Sequence, residues 1–232
     1  MNAPNIKTVK VVRNIFFAVA LFFLINEIFD IHFYLYLLGP VVLVLLMLLY
    51  YFSSVKRNII YFIALGCSFI ANIFLLEMAH QPVVYGLLAY LIYRLATIVL
   101  VYRSIKLKKL PLLVVATLPF ICLILYLVNL TQDALGDSLY PTIIIGVLTS
   151  VLCGFSLSSY IFDDNKKNSW LIISSLLFVV QYFLFVIQEF YLWNEVFEPI
   201  TSTIYVISHF TFYKFIIMDE NQKHPAEKIE TT

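Results

Sequence analysis

Six side chains able to do chemistry stand inside stretches built otherwise from Leu, Ile, Val, Phe and Tyr. They are Arg94 in LLAYLIYRLATIVLVYR, His209 in YVISHF, Asn72 in SFIAN, Gln181 in LFVVQYF, Glu27 in INEIF and Glu189 in IQEF. Tyr90 and Tyr205 each precede a cationic residue, Arg94 and His209, by four positions, one helical turn. The set has a coherent chemistry. A guanidinium stays charged and suits a phosphate or carboxylate. An imidazole transfers protons near neutrality, carboxylates act as general acid or base, and amides orient substrate or water. A plainer reading stands beside each residue. Amides can be interhelical glue worth ~0.6 kcal/mol, tyrosines near span ends can form an interfacial belt, and Glu189, Glu195 and Glu198 can be a solvated rim.

Such a set needs rigid elements to hold it. The 232 residues are 62% apolar and 12% charged, against ~25% charged in a soluble domain. Hydrocarbon demands about 20 apolar residues per helical span. The sequence divides into eight such runs, near 11–29, 33–53, 59–78, 83–102, 110–130, 140–162, 169–190 and 199–217. This predicts an all-α polytopic bundle of about eight transmembrane helices, a single domain over residues 1–218, with a disordered polar tail over 219–232. The first run follows Lys7, Lys10 and Arg13 as a signal peptide would, but it lacks a small-x-small cleavage site and seven runs follow it, so it reads as a retained helix.

The cations set the orientation. Lys7, Lys10, Arg13, Lys56, Arg57, Arg103, Lys106, Lys108, Lys109, Lys166, Lys167, Lys214, Lys223 and Lys228 all fall on one side of the predicted bundle, which leaves Arg94 alone among the 15. The opposite side carries Asp30, Glu77, Asp133, Asp137, Glu195 and Glu198. Both termini are therefore expected in the cytoplasm of a multi-pass protein, of the kind found in a bacterial inner (plasma) membrane.

Depth makes Arg94 the informative residue. It lies roughly 16 Å into its span at 1.5 Å per residue, near the middle of a ~30 Å core. A charge there costs about 2.5–3.5 kcal/mol or more, and snorkelling reaches only a turn or two. Arg94 is therefore expected to face the interior, where it binds an anion or pairs with a carboxylate. Register puts Gln181 and His209 near its depth, with Thr149 and Ser150 close by. Asn72, Asn26 and Glu27 fall a turn or two nearer the acidic side, and Glu77, Gln188 and Glu189 lie at that boundary.

The two halves echo each other. Phe69 precedes Asn72 by three residues as Phe178 precedes Gln181, and Tyr90 precedes Arg94 by four as Tyr205 precedes His209. A parallel 4+4 repeat would set these residues around the junction of the halves.

Other classes find no footing. There is no GxSxG, HExxH, Walker loop or GxGxxG, no Cys/His metal spacing, and no cofactor is expected. Cys67, Cys122 and Cys153 lie in apolar runs and read as small buried hydrophobes. Cations scattered over short loops argue against nucleic acid and leave a membrane lipid as the expected partner.

Through LGCSFIAN-IFLL, VVYGLLAYLIYRLATIVLVYR, SSLLFVVQYFLFVIQEF and PITSTIYVISHFTFYKFII the chain resembles the YhhN-type membrane family, whose characterised members are lysoplasmalogenases. The resemblance implies a single eight-span domain that hydrolyses the vinyl ether of a lysoplasmalogen to a fatty aldehyde and a glycerophospho-alcohol. Gly86, Tyr90 and Tyr205 keep the family frame. Asn72 and Gln181 stand where the family has aspartates, Arg94 where it has histidine and His209 where it has glutamine. Vinyl ether hydrolysis needs an acid to protonate carbon and a base to activate water, and neither amide titrates. One reading is then a lipid hydrolase in which Arg94 holds a headgroup phosphate, His209 transfers protons with Glu27 or Glu189, and Asn72, Gln181, Tyr90 and Tyr205 line the substrate site. The other is a non-catalytic lipid-binding, transport or sensing protein of the same fold.

Overall fold

A backbone in hydrocarbon finds no water to bond, so each apolar run closes its hydrogen bonds within itself as a helix. The computed structural model describes residues 6–29, 32–76, 80–105 and 110–223. Among these the helices are α1 (Ile6–Ile28), α2 (His32–Ser53), α3 (Ile59–Leu76), α4 (His80–Ser104), α5 (Leu110–Leu135), α6 (Leu139–Phe162), α7 (Lys166–Phe190) and α8 (Phe197–Lys223), with no strand. A short 3₁₀ turn, Gly136–Ser138, joins α5 to α6, and Gly136 adopts φ 48, which a side chain would resist. Polar residues punctuate the helices. Asn58 Oδ1 accepts from the Ile60 N–H at 3.0 Å at the start of α3, and Asn165 Oδ1 from the Asn168 N–H at 2.9 Å at the start of α7.

Among the described residues, five helical segments are long and apolar enough to cross a membrane: Ile6–Ile28, Val83–Ser104, Pro111–Phe162, Lys166–Phe190 and Phe197–Lys223. Pro111–Phe162 holds both α5 and α6, and α2 and α3 contribute the shorter apolar stretches Leu38–Ser53 and Ile59–Leu75. Large apolar side chains such as Leu21, Leu48, Ile63, Ile92, Leu125 and Ile173 point outward, as lipid contact requires. The chain is an all-helical, multi-pass integral membrane protein.

Sequential helices pack in pairs, α1 on α2, α3 on α4, α5 on α6 and α7 on α8. The pairs join through α4 on α6, α6 on α7, α2 on α3, and α1 and α2 on α8. The larger core, with Phe16, Leu46, Leu65, Tyr93, Phe178 and Phe212, fills the side toward the cation-rich end. A smaller core with Leu87, Ile124, Ile145, Tyr182 and Val186 lies toward the other end. Two close approaches shape the region between. A Cβ on Gly39 would sit 3.0 Å from Asn72 Oδ1, and one on Gly146 would sit 2.4 Å from Ile124 Cγ2 and 2.9 Å from Tyr182 Oη. The missing side chains let α2 press on Asn72 and α6 on Tyr182, whose hydroxyl donates to the Thr142 carbonyl at 2.7 Å.

Helix α8 runs on past the boundary expected at residue 218. Residues 219–223, expected to be disordered, form the last turn of α8, and residues 224–232 lie outside the described residues, as do Asp30 and Glu77. Buried Asp219 accepts from Ser104 Oγ at 2.7 Å and pairs with Lys167 Nζ at 3.3 Å and Lys223 Nζ at 2.6 Å. Glu220 accepts from Ser54 Oγ at 2.7 Å and from the Tyr50 hydroxyl. Composition suggested solvation, but partners on α2, α4 and α7 hold these carboxylates and fasten the cation-rich end of the bundle.

Candidate functional site

On α4 the guanidinium of Arg94 is fully buried and donates from Nη2 to the Tyr90 hydroxyl at 2.6 Å. Its Cζ lies 4.5 Å from the Phe178 ring centre, 5.1 Å from Tyr90 and 5.4 Å from Tyr93. Nε and Nη1 have no hydrogen-bond partner. The residue thus faces the interior, as its depth demanded, but ring faces surround it and its one hydrogen bond goes to a tyrosine. Desolvated cation–π contacts of this kind reach about 2 kcal/mol.

His209 on α8 is buried against the same rings. It stacks on Tyr93 with centroids 5.5 Å apart and planes 12° off parallel, and Phe178 meets it edge-on at 5.7 Å. Phe178 of α7 therefore stands between the two cationic positions that the sequence pairs. His209 Nδ1 lies 2.9 Å from the Tyr205 carbonyl, which can only accept, so Nδ1 carries the proton. In the neutral ring Nε2 then presents its lone pair to the Ser68 hydroxyl of α3, 3.1 Å away.

Next to these residues, toward the end of the bundle that carries the α1–α2, α3–α4 and α7–α8 connections, lies a cavity of about 460 Å³. Its apolar wall includes Phe23, Ala71, Leu75, Leu87, Ile145 and Phe185, and its polar wall includes Ser68, Gln188, Glu198, Thr201 and Ser202. Six of the eight residues singled out from the sequence line it: Glu27, Asn72, Tyr90, Gln181, Glu189 and Tyr205. Arg94 and His209 stand one turn further along α4 and α8, behind Tyr90 and Tyr205. Ser202 Oγ donates to Glu27 Oε1 at 2.9 Å, and Ser208 Oγ to Gln181 Oε1 at 3.1 Å. Thr149 and Ser150, near Arg94 by depth, donate instead to their own helix, to the Ile145 and Gly146 carbonyls.

The three glutamates that could form a rim separate here. Glu189 and Glu198 line the cavity together with Trp193, while Glu195 is exposed. Sequence reasoning passed over Ser68, Trp193 and Ser202, and it placed Gln188 only at the boundary and Glu198 only in a rim. Helical spacing carried part of the signal. Ser68 and Asn72 are one turn apart on α3, and Glu198, Ser202, Tyr205 and His209 follow at steps of four, three and four along one face of α8.

Chemically, the cavity offers carboxylates from α1, α7 and α8, amides from α3 and α7, and two phenols backed by an arginine and an imidazole. No group of three or more His, Cys, Asp or Glu side chains suited to a metal occurs among the described residues. No curated protein and no solved structure matches the chain. Residues 34–215, from α2 through His209 and on to Phe215 of α8, match the YhhN family, and the chain belongs to that family.

Proposed function

We propose that the cavity binds a single-chain amphiphile of the lysophospholipid type, and that the protein hydrolyses the vinyl ether of such a lipid as lysoplasmalogenases do. The observation that carries this reading is the cavity itself. At about 460 Å³ it falls within the roughly 300–1,000 Å³ usual for small-ligand sites, and it sets carboxylates beside an apolar wall. Glu189 would protonate the alkene carbon. Glu27, which already accepts from Ser202, suits the base that takes a proton from the attacking water. Collapse of the hemiacetal then releases aldehyde and alcohol. Asn72 and Gln181 would orient the ether and the water, and Arg94 supplies positive charge through Tyr90.

Non-catalytic binding is the second reading, and the two amides favour it. Asn72 and Gln181 line the cavity at positions where a proton carrier would be expected, and neither titrates. In both readings the chain makes eight passes with its ends in the cytoplasm. The contact of α4 with α6, mirrored by that of α2 with α8, supports a 4+4 repeat.

One assay separates the readings. Purified protein is given a lysoplasmalogen, and bound lipid and released aldehyde are both measured. Aldehyde release that falls in Glu189→Gln and Glu27→Gln supports hydrolysis, lipid bound without aldehyde supports binding alone, and absence of both refutes the site.

A further inference from the structure

Vinyl ether hydrolysis as proposed gives no part to Ser68 and moves the proton transfer first expected of His209 to Glu189 and Glu27, yet the Ser68–His209 pair has the parts of a nucleophile and its base. Ser68 Oγ and His209 Nε2 are 3.1 Å apart, inside the range expected of such a pair, and both side chains are buried. A third group orients the base, since His209 Nδ1 donates to the Tyr205 carbonyl at 2.9 Å. Stacking on Tyr93 and the edge of Phe178 fix the ring plane. Ser68 lies on the cavity wall, so a substrate entering the cavity can reach it.

The same wall holds donors for a developing oxyanion. The Tyr90 oxygen already accepts from Arg94 Nη2 at 2.6 Å, so its own proton is free to turn into the cavity, polarised by the guanidinium. The Tyr205 hydroxyl is buried and lines the cavity beside Ser68, and its own proton is donated to no acceptor. Unsatisfied buried donors are costly, and donors aimed at developing negative charge are the usual means of stabilising acyl-transfer transition states.

We propose that Ser68 and His209 form a nucleophile–base dyad that cleaves a carboxylic ester held in this cavity, with the Tyr90 and Tyr205 hydroxyls stabilising the oxyanion. Ser68 Oγ attacks the acyl carbon as its proton passes to His209 Nε2. The tetrahedral oxyanion collapses, the C–O bond to the alcohol breaks, and His209 returns the proton to the leaving alkoxide. Water then attacks the acyl-serine with His209 again as base, freeing the carboxylic acid and restoring Ser68. The net reaction is ester plus water to acid plus alcohol. The dyad shares the cavity and Tyr90 with the vinyl ether reading but is independent of it, because the bond cleaved, the product and the proton-transfer residues differ.

The test uses the full-length protein in detergent or nanodiscs, with an alkyl fluorophosphonate as probe and a 1-acyl lysophospholipid and p-nitrophenyl butyrate as substrates. The dyad requires a covalent adduct on Ser68, seen by peptide mass spectrometry, and fatty-acid release lost in Ser68→Ala and reduced at least about 100-fold in His209→Gln. Failure of wild-type protein to label at Ser68 or to release acid overturns it, as does release that survives Ser68→Ala. Should Ser68→Ala fail to fold, Ser68→Cys keeps the size. Its thiol should then be alkylated faster with His209 present than in the double variant with His209→Gln, and equal rates refute the dyad. Aldehyde release from a vinyl ether leaves this result untouched, and the converse holds.

Discussion

Arg94 donates to the hydroxyl of Tyr90, one turn back on α4, across 2.6 Å, and through this bond a fully buried charge reaches the cavity. Two of its N–H-bearing nitrogens, Nε and Nη1, remain without partners. That arrangement is expensive for folding and useful for polarising a phenol, so stability and function should respond to mutation in opposite directions.

Arg94→Leu, which removes a poorly partnered buried charge, is expected to raise unfolding stability by about 1–4 kcal/mol while abolishing lipid binding or turnover. Tyr90→Phe keeps the charge and deletes its hydrogen bond, so it should lower stability by about 1.5–3 kcal/mol. Thermal and denaturant unfolding in matched detergent measure both signs. A destabilised Arg94→Leu would show that the ring cage, rather than function, retains the arginine.

Gly146→Ala places a methyl 2.4 Å from Ile124 Cγ2 and 2.9 Å from Tyr182 Oη. Overpacking of this kind costs about 1–3 kcal/mol, and it should push Tyr182 away from the Thr142 carbonyl. Gly39→Ala presses on the Asn72 amide at 3.0 Å and meets Phe23 only at an ordinary 3.8 Å. It is expected to weaken lipid binding with little change in melting temperature, read by a fluorescent-lipid titration beside a thermal scan.

Asp219→Ala strips the carboxylate from Lys167, whose side chain is only 12% exposed, and leaves it the Ser104 carbonyl at 3.0 Å. Breaking a buried pair costs about 3–5 kcal/mol, and a loss of that order in denaturant unfolding is expected. Glu220→Gln removes the charge but keeps an acceptor for one of Ser54 and Tyr50, and should cost about 1.5 kcal/mol. Similar losses in both would mean that charge, rather than hydrogen bonding, fastens this end.

Ser202→Ala removes one hydrogen bond donated to Glu27. A lost hydrogen bond of about 1 kcal/mol corresponds to roughly a fivefold fall in aldehyde release. Melting temperature should hold, since Ser202 lies on the cavity wall. Unchanged kinetics would show that the Ser202 bond does not position Glu27 for the reaction.

Much of this molecule is a local property of its sequence. The predicted run near 140–162 is α6, Leu139–Phe162, and the run near 33–53 is α2, His32–Ser53, because hydropathy and punctuating Asn, Asp and Lys act over one or two turns. The interior facing of Arg94 was equally legible, since the cost of a charge in hydrocarbon depends on depth, and depth is counted along one helix. Similar counting put Gln181 near the depth of Arg94, and Asn72, Glu27 and Glu189 progressively nearer the acidic side.

What sequence could not supply depends on pairings across long separations. Ser68 meets His209 across 141 residues, and Tyr50 meets Glu220 across 170. Ser68 is an unremarkable serine in an apolar run, and Asp219 and Glu220 look like the start of a solvated tail. Composition fixes what a residue prefers on average, whereas its partner is set by how helices rotate and cross. That rotation depends on close approaches such as Gly39 on Asn72 and Gly146 on Tyr182. The sequence alone determined a membrane bundle with costly polar residues at depth. Tertiary packing decided that those residues share a cavity, that a serine and an imidazole face each other beside it, and that α8 ends locked rather than free.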